Sequence, residues 1–299
     1  MLRSPFFYVG DKYKLMSQLV NLFPKNIDAF FDVFVGGGSV FLNVKAKRFI
    51  LNDINENLIM LHKELLSYRN KRDELFEKIY KTISDYELSC SFKGEFPSDR
   101  LKIDFPKTYF AKYNKNAYIK LRYDYNSEIN KDFLKLYLLL IYGFNHMLRF
   151  NSLGAFNLPV GNVDFNKNVV NAINNYLNFA ESNEIIFSVS DCFDFVKSHN
   201  FKSDDFVYFD PPYLISASEY NKLWGAQQET RLYELIDELD RKHIKFGLSN
   251  MLEHKGAKNE ILYQWSKKYK VIPVKSNYIS YNDNSIKSSS KEVYIANYE

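Results

Sequence analysis

Cysteine is nearly missing from this chain: Cys90 and Cys192 are the only two in 299 residues, far apart and without paired spacing. That excludes a disulfide scaffold and a cysteine-built zinc site, and it is the usage expected of a reducing compartment. Long apolar runs are missing too. The most apolar segment, Leu136 to Ile141, falls far short of the ~20 residues of a membrane span, and Met1 to Tyr8 lacks the apolar stretch of a secretory signal. A cytoplasmic protein is expected. Charge of one sign is also scarce, since 40 Lys and Arg against 36 Asp and Glu leave only +4, too little to imply a polyanionic partner on its own. What is plentiful is aromatic: 26 Phe and 23 Tyr can fill a core or offer stacking surfaces for bases.

Leu15, Met16, Leu19, Val20, Leu22 and Phe23 recur at helical spacing, and Pro24 ends that helix. A short apolar strand, Ala29 to Phe34, runs into Gly36, Gly37 and Gly38. A helix is expected from Ser39, then a second strand, Phe49 to Leu51, ending at Asp53. Strand, glycine turn, helix, strand and acid open a Rossmann-like unit. From about Asn57 to Asp164 the pattern is helical and lysine-rich. Strand-like runs return at Glu184 to Val189, Phe206 to Phe209, Lys245 to Leu248 and Glu292 to Tyr298, with helices at Thr230 to His243 and Asn259 to Tyr269. The fold class expected is α/β: a Rossmann-like sheet domain formed by residues 1–56 and 165–299, interrupted by a mostly helical insert, 57–164. The polar stretch Tyr281 to Ser290 reads as a mobile hairpin loop.

Two segments carry chemistry. The first, Asp32 to Ser39, reads DVFVGGGS. Glycines at a strand-to-helix turn let the backbone approach a ligand closely. The spacing is not the dinucleotide GxGxxG, and the turn lacks the lysine and hydroxyl of a phosphate-cradling loop, which argues against ATP. Asp53 follows 21 positions after Asp32, where an acid is placed to accept bonds from ribose hydroxyls. Read alone, the same residues equally describe a tight turn and a helix cap.

The second segment, Asp205 to Tyr213, reads DFVYFDPPY: a buried-type strand delivering Asp210, Pro211, Pro212 and Tyr213 at its carboxyl end. An amino group on an aromatic ring has two N–H donors and a lone pair delocalised into the ring. Asp210 can accept one donor and the Pro211 carbonyl the other, which biases nitrogen toward tetrahedral geometry and frees its lone pair. The prolines fix the turn, and Tyr213 offers a stacking face for an extruded base. An ordinary Pro-Pro turn would need neither the acid before it nor the aromatic after it.

With these residues in view, the chain resembles the Dam-type, alpha-class DNA adenine-N6 methyltransferases, in particular the T-even phage enzymes. The likeness runs through YVGDK (Tyr8 to Lys12), DVFVGGGSV (Asp32 to Val40), LND (Leu51 to Asp53), NHMLRFNSLGAFNLPVG (Asn145 to Gly161), DFVYFDPPYL (Asp205 to Leu214) and KFGLSN (Lys245 to Asn250). The resemblance implies a class I methyltransferase sheet that takes S-adenosylmethionine, no metal, and an insert that recognises double-stranded DNA through a β-hairpin. It places Tyr8, Gly10 and Lys12 at the cofactor's methionine part, Lys12 also toward a flipped base. Asp32, Phe34 and Gly36 would line the cofactor, Asp53 its ribose and Asp191 its adenine amino group. Phe193 would pack on that ring or belong to the core. Asp210 to Tyr213 would hold the target adenine, with Asp210 also beside the cofactor.

The insert carries 17 Lys and Arg against 12 Asp and Glu between Asn57 and Val160. From Arg100 to Arg122 seven basic residues face Asp104 alone, interleaved with Phe105, Tyr109, Phe110, Tyr113 and Tyr118. Such a run suits a phosphate backbone, although most charge runs are solvated helix faces. Asn145 to Gly161 looks like a β-hairpin turning near Asn151 to Gly154. By resemblance Arg149 reads a guanine, with its fork on O6 and N7, and Phe144, Asn145, Met147, Asn151 and Pro159 touch or order the site. Tyr118 and Arg122 match residues near DNA, the tyrosine as an aromatic filling the space beside the flipped base. Phe7 departs from the bacterial members that carry a guanine-contacting lysine there. The implied site is GATC, reached by base flipping and direct in-line transfer. The same chemistry at another sequence is the alternative, with a restriction endonuclease as candidate partner and a monomer or weak dimer on DNA.

Three other readings fit less well. A cytosine-C5 enzyme needs a nucleophilic cysteine, typically after proline, and Cys90 and Cys192 follow Ser89 and Asp191. RNA or protein-amide N-methyltransferases more often carry Asn in place of Asp210. An inactive DNA-binding relative would not need Asp210 and Tyr213 intact.

Overall fold

The computed structural model describes residues 1–216, 224–275 and 290–299. A 3-10 turn at Tyr13–Leu15 leads into α1 (Met16–Leu19), shorter than the Leu15 to Phe23 helix expected. Then β1 (Ala29–Asp32) enters the glycine turn and β2 (Arg48–Asp53) pairs with it in parallel, Asp32 opposite Leu51. The helix expected from Ser39 is only a 3-10 turn, Phe41–Asn43. The Asn43 amide turns back to donate to the Leu2 and Ser39 carbonyls, and Val44 is already extended, so no further turn can form.

The helical pattern expected after Asn57 forms α2 (Glu56–Ser67), α3 (Arg72–Asp85), α4 (Asp99–Asp104), α5 (Tyr109–Ser127) and α6 (Phe133–Tyr142). Side-chain caps set three of the starts, with Asn55, Ser98 and Asp132 accepting amide hydrogens from the first turns of α2, α4 and α6. Beyond α6 come α7 (Lys167–Ser182), β3 (Glu184–Val189), α8 (Cys192–Lys197), β4 (Phe206–Phe209), α9 (Ala226–Arg241) and β5 (Lys245–His254). The chain closes with β6 (Ala257–Lys258), α10 (Glu260–Ser266), β7 (Lys270–Val274) and β8 (Ser290–Ala296). β7 had no counterpart among the expected strands. The loop expected at Tyr281 to Ser290 lies, but for Ser290, outside the described residues.

The sheet order is β3-β2-β1-β4-β5-β8-β7, with β6 on β5. The first five strands of that order are parallel, and β8 and β7 run antiparallel. Connections leave β1 toward β2 on one side while β4 lies on its other, so the crevice beyond β1 and β4 is a topological switch point, where open α/β sheets bind ligands. Alternate strand residues enter two separate cores. Phe30, Phe206, Tyr208 and Tyr294 point to one face, and Phe31, Val207, Phe209 and Ile295 to the other. Burial on both faces explains why these strands read as unbroken apolar runs. The first core continues without a break into the insert, through Leu61 and Leu65 of α2 and the buried Leu136 to Tyr142 of α6.

Candidate active site

Four parallel strands bring their carboxyl ends to one edge. Asn52 stitches three of them, β1, β2 and β3, its amide donating to the Val33 carbonyl (3.2 Å) and the Ser190 carbonyl (3.0 Å). β1 thus delivers Asp32 and the glycine turn, β2 Asp53, β3 Asp191, and β4 Asp210 with the Pro-Pro turn. Most of the residues expected to bind a cofactor, Asp32, Phe34, Gly36, Asp53, Asp191 and Phe193, therefore belong to one rim, as do Asp210 to Tyr213.

Asp53 serves both readings open in the sequence. Its Oδ2 accepts the Gly36 amide (2.9 Å) and its Oδ1 the Asn55 amide (2.9 Å), and each oxygen keeps acceptor capacity for a hydroxyl. On the turn's other side, His62 of α2 contacts the Gly36 carbonyl through Nε2 (3.0 Å) and the Tyr176 hydroxyl through Nδ1 (3.2 Å). Burial pushes this imidazole down to about 4, against the Gly36 carbonyl. It is neutral, and Nε2–H donates to Gly36. The N-terminal motif closes the same turn. The Ser4 hydroxyl donates to the Gly37 carbonyl, and Ser39 donates to Asp11 Oδ2 (3.2 Å). Tyr8 is buried and Gly10 exposed at the tip of a tight turn, with the Asp11 amide bonded to the Tyr8 carbonyl.

Lys12 ends that motif in the middle of the rim. Its Nζ lies 2.8 Å from Asp210 Oδ2, 3.9 Å from Glu292 Oε1 and 4.9 Å from the Tyr213 ring centre. Burial works against its charge, but Asp210, Glu292 and Asp11 more than offset this and hold it above its ordinary value. The Tyr213 hydroxyl donates to Glu292 (2.7 Å) and reaches Asp210 Oδ1 (3.3 Å). Pro211 is buried and Pro212 half-buried.

Asp32 is the uncomfortable member. It is buried, and neither oxygen makes a well-formed hydrogen bond among the described residues. Burial and the neighbouring Asp210 push its carboxyl well above the usual range, with the Phe34 amide only partly opposing. A buried acid beside two more carboxylates fits a positively charged ligand. That is the charge S-adenosylmethionine carries on its sulfonium and ammonium groups, so these residues fit the cofactor.

Asp191 is exposed and caps α8 through the Phe193 amide (2.9 Å). Phe193 is buried beneath the Arg231 guanidinium, 3.8 Å above its ring, and Phe34 meets Trp224 edge-on at 5.8 Å.

The segment expected to recognise DNA, Asn145 to Gly161, follows a hairpin path without a regular ladder. Only the bridges Gly143 to Val160 and Phe150 to Phe156 form, and Asn151 closes the tip by accepting the Leu153 and Ala155 amides. The left-handed backbone at Asn145 and His146 and the donorless Pro159 interrupt pairing at the root. Phe144, Asn145, Asn151 and Pro159 are exposed, and Met147 is half-buried. Arg149 donates from Nε to the Asn157 side chain (2.9 Å) and from Nη2 to its backbone carbonyl (2.7 Å). Arg122 donates to the Leu158 carbonyl (3.1 Å). Tyr118 is a correction. It is fully buried, its hydroxyl on the Leu139 carbonyl, so its ring packs the core and presents no face to DNA.

Three residues at the rim escaped the sequence reading: Glu292, His62 and Ser4. Glu292 left a trace, as the lone acid opening the apolar strand EVYIA.

A family profile for D12 class N6 adenine-specific DNA methyltransferases matches residues 8–279. The chain belongs to that family. It is 34% identical over 310 residues to the modification methylase StsI of Streptococcus sanguinis, and 34% over 307 residues to the type II methyltransferase M.FokI of Planomicrobium okeanokoites. These alignments cover 100% and 99% of this chain but 43% of each relative, so the chain spans less than half their length. The DNA adenine methylase of Escherichia coli K12 is 29% identical over 254 residues, 81% of this chain and 78% of that enzyme. The family expected from the motifs is thus shown; these relatives do not bear on the likeness to T-even phage enzymes. Among the described residues no group of side chains could hold a metal ion, and no helix is long and apolar enough to cross a membrane.

Proposed function

We propose that this chain methylates the exocyclic N6 of adenine in double-stranded DNA, with S-adenosylmethionine as donor. The observation that carries the reading is the meeting, at one switch-point rim, of the Asp210 to Tyr213 turn with a cluster of buried carboxylates suited to a cationic ligand. Asp32, Phe34, Gly36 and Asp53 would hold the cofactor, with Asp191 and Phe193 toward its adenine end. When bound, it supplies a methyl group already activated on sulfur, so no metal is needed. Asp210 accepts one amino hydrogen of the target base and the Pro211 carbonyl the other, leaving the nitrogen lone pair free to attack. Tyr213 stacks on the base, which must leave the helix to reach a rim this recessed.

Recognition falls to the insert, with Arg149 as the guanine reader and the exposed Phe144, Asn145, Asn151 and Pro159 beside it. GATC is the first site to test. The relatives' names, a modification methylase and a type II methyltransferase, support a restriction-modification setting beside an endonuclease. The test is expression in a host lacking adenine methylation, followed by sequencing of modified adenines. Asp210→Ala is expected to lower transfer by about 100-fold or more while duplex binding stays near wild type. Normal turnover in that variant would remove the assigned role.

A further inference from the structure

Glu292 belongs to none of the family motifs and lies on the antiparallel strand β8, opposite Met251. It is 2% exposed and faces the same two donors as Asp210. Lys12 sits 2.8 Å from Asp210 and 3.9 Å from Glu292; the Tyr213 hydroxyl is 3.3 Å from Asp210 and 2.7 Å from Glu292. Two carboxylates thus share one ammonium and one phenol. The phenol already favours Glu292, and the ammonium still favours Asp210.

This arrangement weakens the grip Asp210 can take on an amino group. An ammonium at 2.8 Å is a stronger, charge-assisted donor than a neutral aromatic amine, so a base entering the rim meets an Asp210 whose charge is already engaged at Oδ2 and whose Oδ1 is already approached by the Tyr213 hydroxyl. Leaving a buried ammonium without its carboxylate is costly. A second carboxylate about 1 Å beyond its present reach removes that cost, because the charge only changes partner.

We propose that Glu292 is a positioning residue that takes over Lys12 when the target adenine arrives, releasing Asp210 for the amino group. The inference rests on the reading that Asp210 grips the base. Glu292 touches neither the base nor the reacting atoms. It acts through Lys12 and Tyr213. The carboxylate's charge, and not merely an acceptor oxygen, is what the transfer requires.

Glu292→Gln separates these roles, since the amide oxygen can still accept from Tyr213 but cannot neutralise Lys12. With unmethylated genomic DNA as substrate, we expect kcat to fall by about tenfold or more, with KM for S-adenosylmethionine and the thermal midpoint close to wild type. Glu292→Asp should recover part of the rate. Wild-type kcat in Glu292→Gln would overturn the proposal and leave Glu292 as a prop for Tyr213. Should that variant fold poorly, the wild-type protein decides. In a crystal structure with S-adenosylhomocysteine and a duplex carrying the site mapped by sequencing, Lys12 Nζ should lie on Glu292 and off Asp210. Lys12 still bonded to Asp210 beside a bound adenine would refute the exchange. Asp210→Ala keeps the two levels apart. If it retains full activity, the underlying reading falls with this one. If it is inactive while Glu292→Gln is normal, only the exchange is wrong.

Discussion

The proposed catalytic rim and the proposed recognition segment are built in opposite ways. At the rim, backbone and side chain interlock in a buried setting: Asp53 and His62 hold Gly36 from both sides, Asn52 ties three strands, and Lys12 pins the N-terminal motif to Asp210. The recognition segment leaves Phe144, Asn145 and its tip from Asn151 to Gly154 exposed, has only two bridges in place of a ladder, and occupies its own Arg149 and Arg122 of α5 with its carbonyls. A small ligand with fixed geometry rewards preorganisation. A duplex supplies its own surface and can complete the order of what it meets. Rigidity should therefore be costly to disturb at the rim and cheap at the tip.

Two glycines put that contrast to its strongest test. Gly38 has φ +83°, and a methyl group there would lie 2.3 Å from the Phe41 ring and 2.9 Å from His62. Gly154 has φ +75° with nothing within 4 Å. Gly38→Ala adds overpacking to left-handed strain and should cost about 2–4 kcal/mol, whereas Gly154→Ala carries the backbone term alone, about 1 kcal/mol. Denaturant midpoints measure both, and equal losses would show that the rim is no more tightly built than the tip.

His62 supplies the next largest effect. Its imidazole titrates near 4 in the folded chain but near 6.5 once unfolded. Between those values the unfolded state binds the extra proton, so the stability His62 contributes is complete above about 6.5 and is lost as pH falls toward 4, by up to about 3 kcal/mol. His62→Gln should flatten this window relative to wild type in urea titrations at pH 7 and pH 5. An unchanged pH dependence would mean that the imidazole does not stay neutral in the fold.

Arg149→Ala asks whether the recognition segment reads sequence or merely holds itself together. A guanine reader should lose about 1–3 kcal/mol of discrimination at one base pair, with other positions unaffected. If the bonds to Asn157 are its whole purpose, turnover will fall alike on every duplex. Initial rates on a set of single-base site variants distinguish the two.

How far the sequence revealed this contrast depends on periodicity. β1 and β4 were legible because burial on both faces makes them apolar throughout, and the Asp210 to Tyr213 turn because an ordinary turn needs neither its acid nor its aromatic. The helix expected from Ser39 was not, since a side-chain amide, Asn43, redirects the chain there. α7 was missed although Val169, Val170, Ile173, Tyr176 and Leu177 mark its buried stripe behind an Asn166 cap. Tyr118 shows the limit most plainly. Basic and aromatic residues alternate along Arg100 to Arg122, which reads as a single nucleic-acid surface. On α5, however, Asn114, Tyr118, Leu121 and Tyr125 fall three or four apart and turn inward as one stripe. Pairings such as Tyr213 with Glu292 join residues 79 apart, and no local pattern encodes them.

That inward stripe leaves the basic residues of the same segment outside, and they provide the smallest and most graded test. Arg100 is near Asp104 (3.7 Å) and Lys102 pairs with Asp99 (3.1 Å). Lys107, Lys112 and Lys115 are exposed and form no salt bridge among the described residues. Phosphate neutralisation releases condensed counterions, so each lost contact should lower the slope of log affinity against log salt by about 0.9. Lys107→Ala and Lys115→Ala should each show close to that change, with sequence preference intact. Lys102→Ala, whose charge is already engaged, should show less. The two outcomes differ in slope as well as in affinity, and only a duplex backbone lying along this face produces the slope. If all three variants keep the wild-type salt dependence, the basic surface from α4 to α5 is solvated and the DNA path runs elsewhere across the insert.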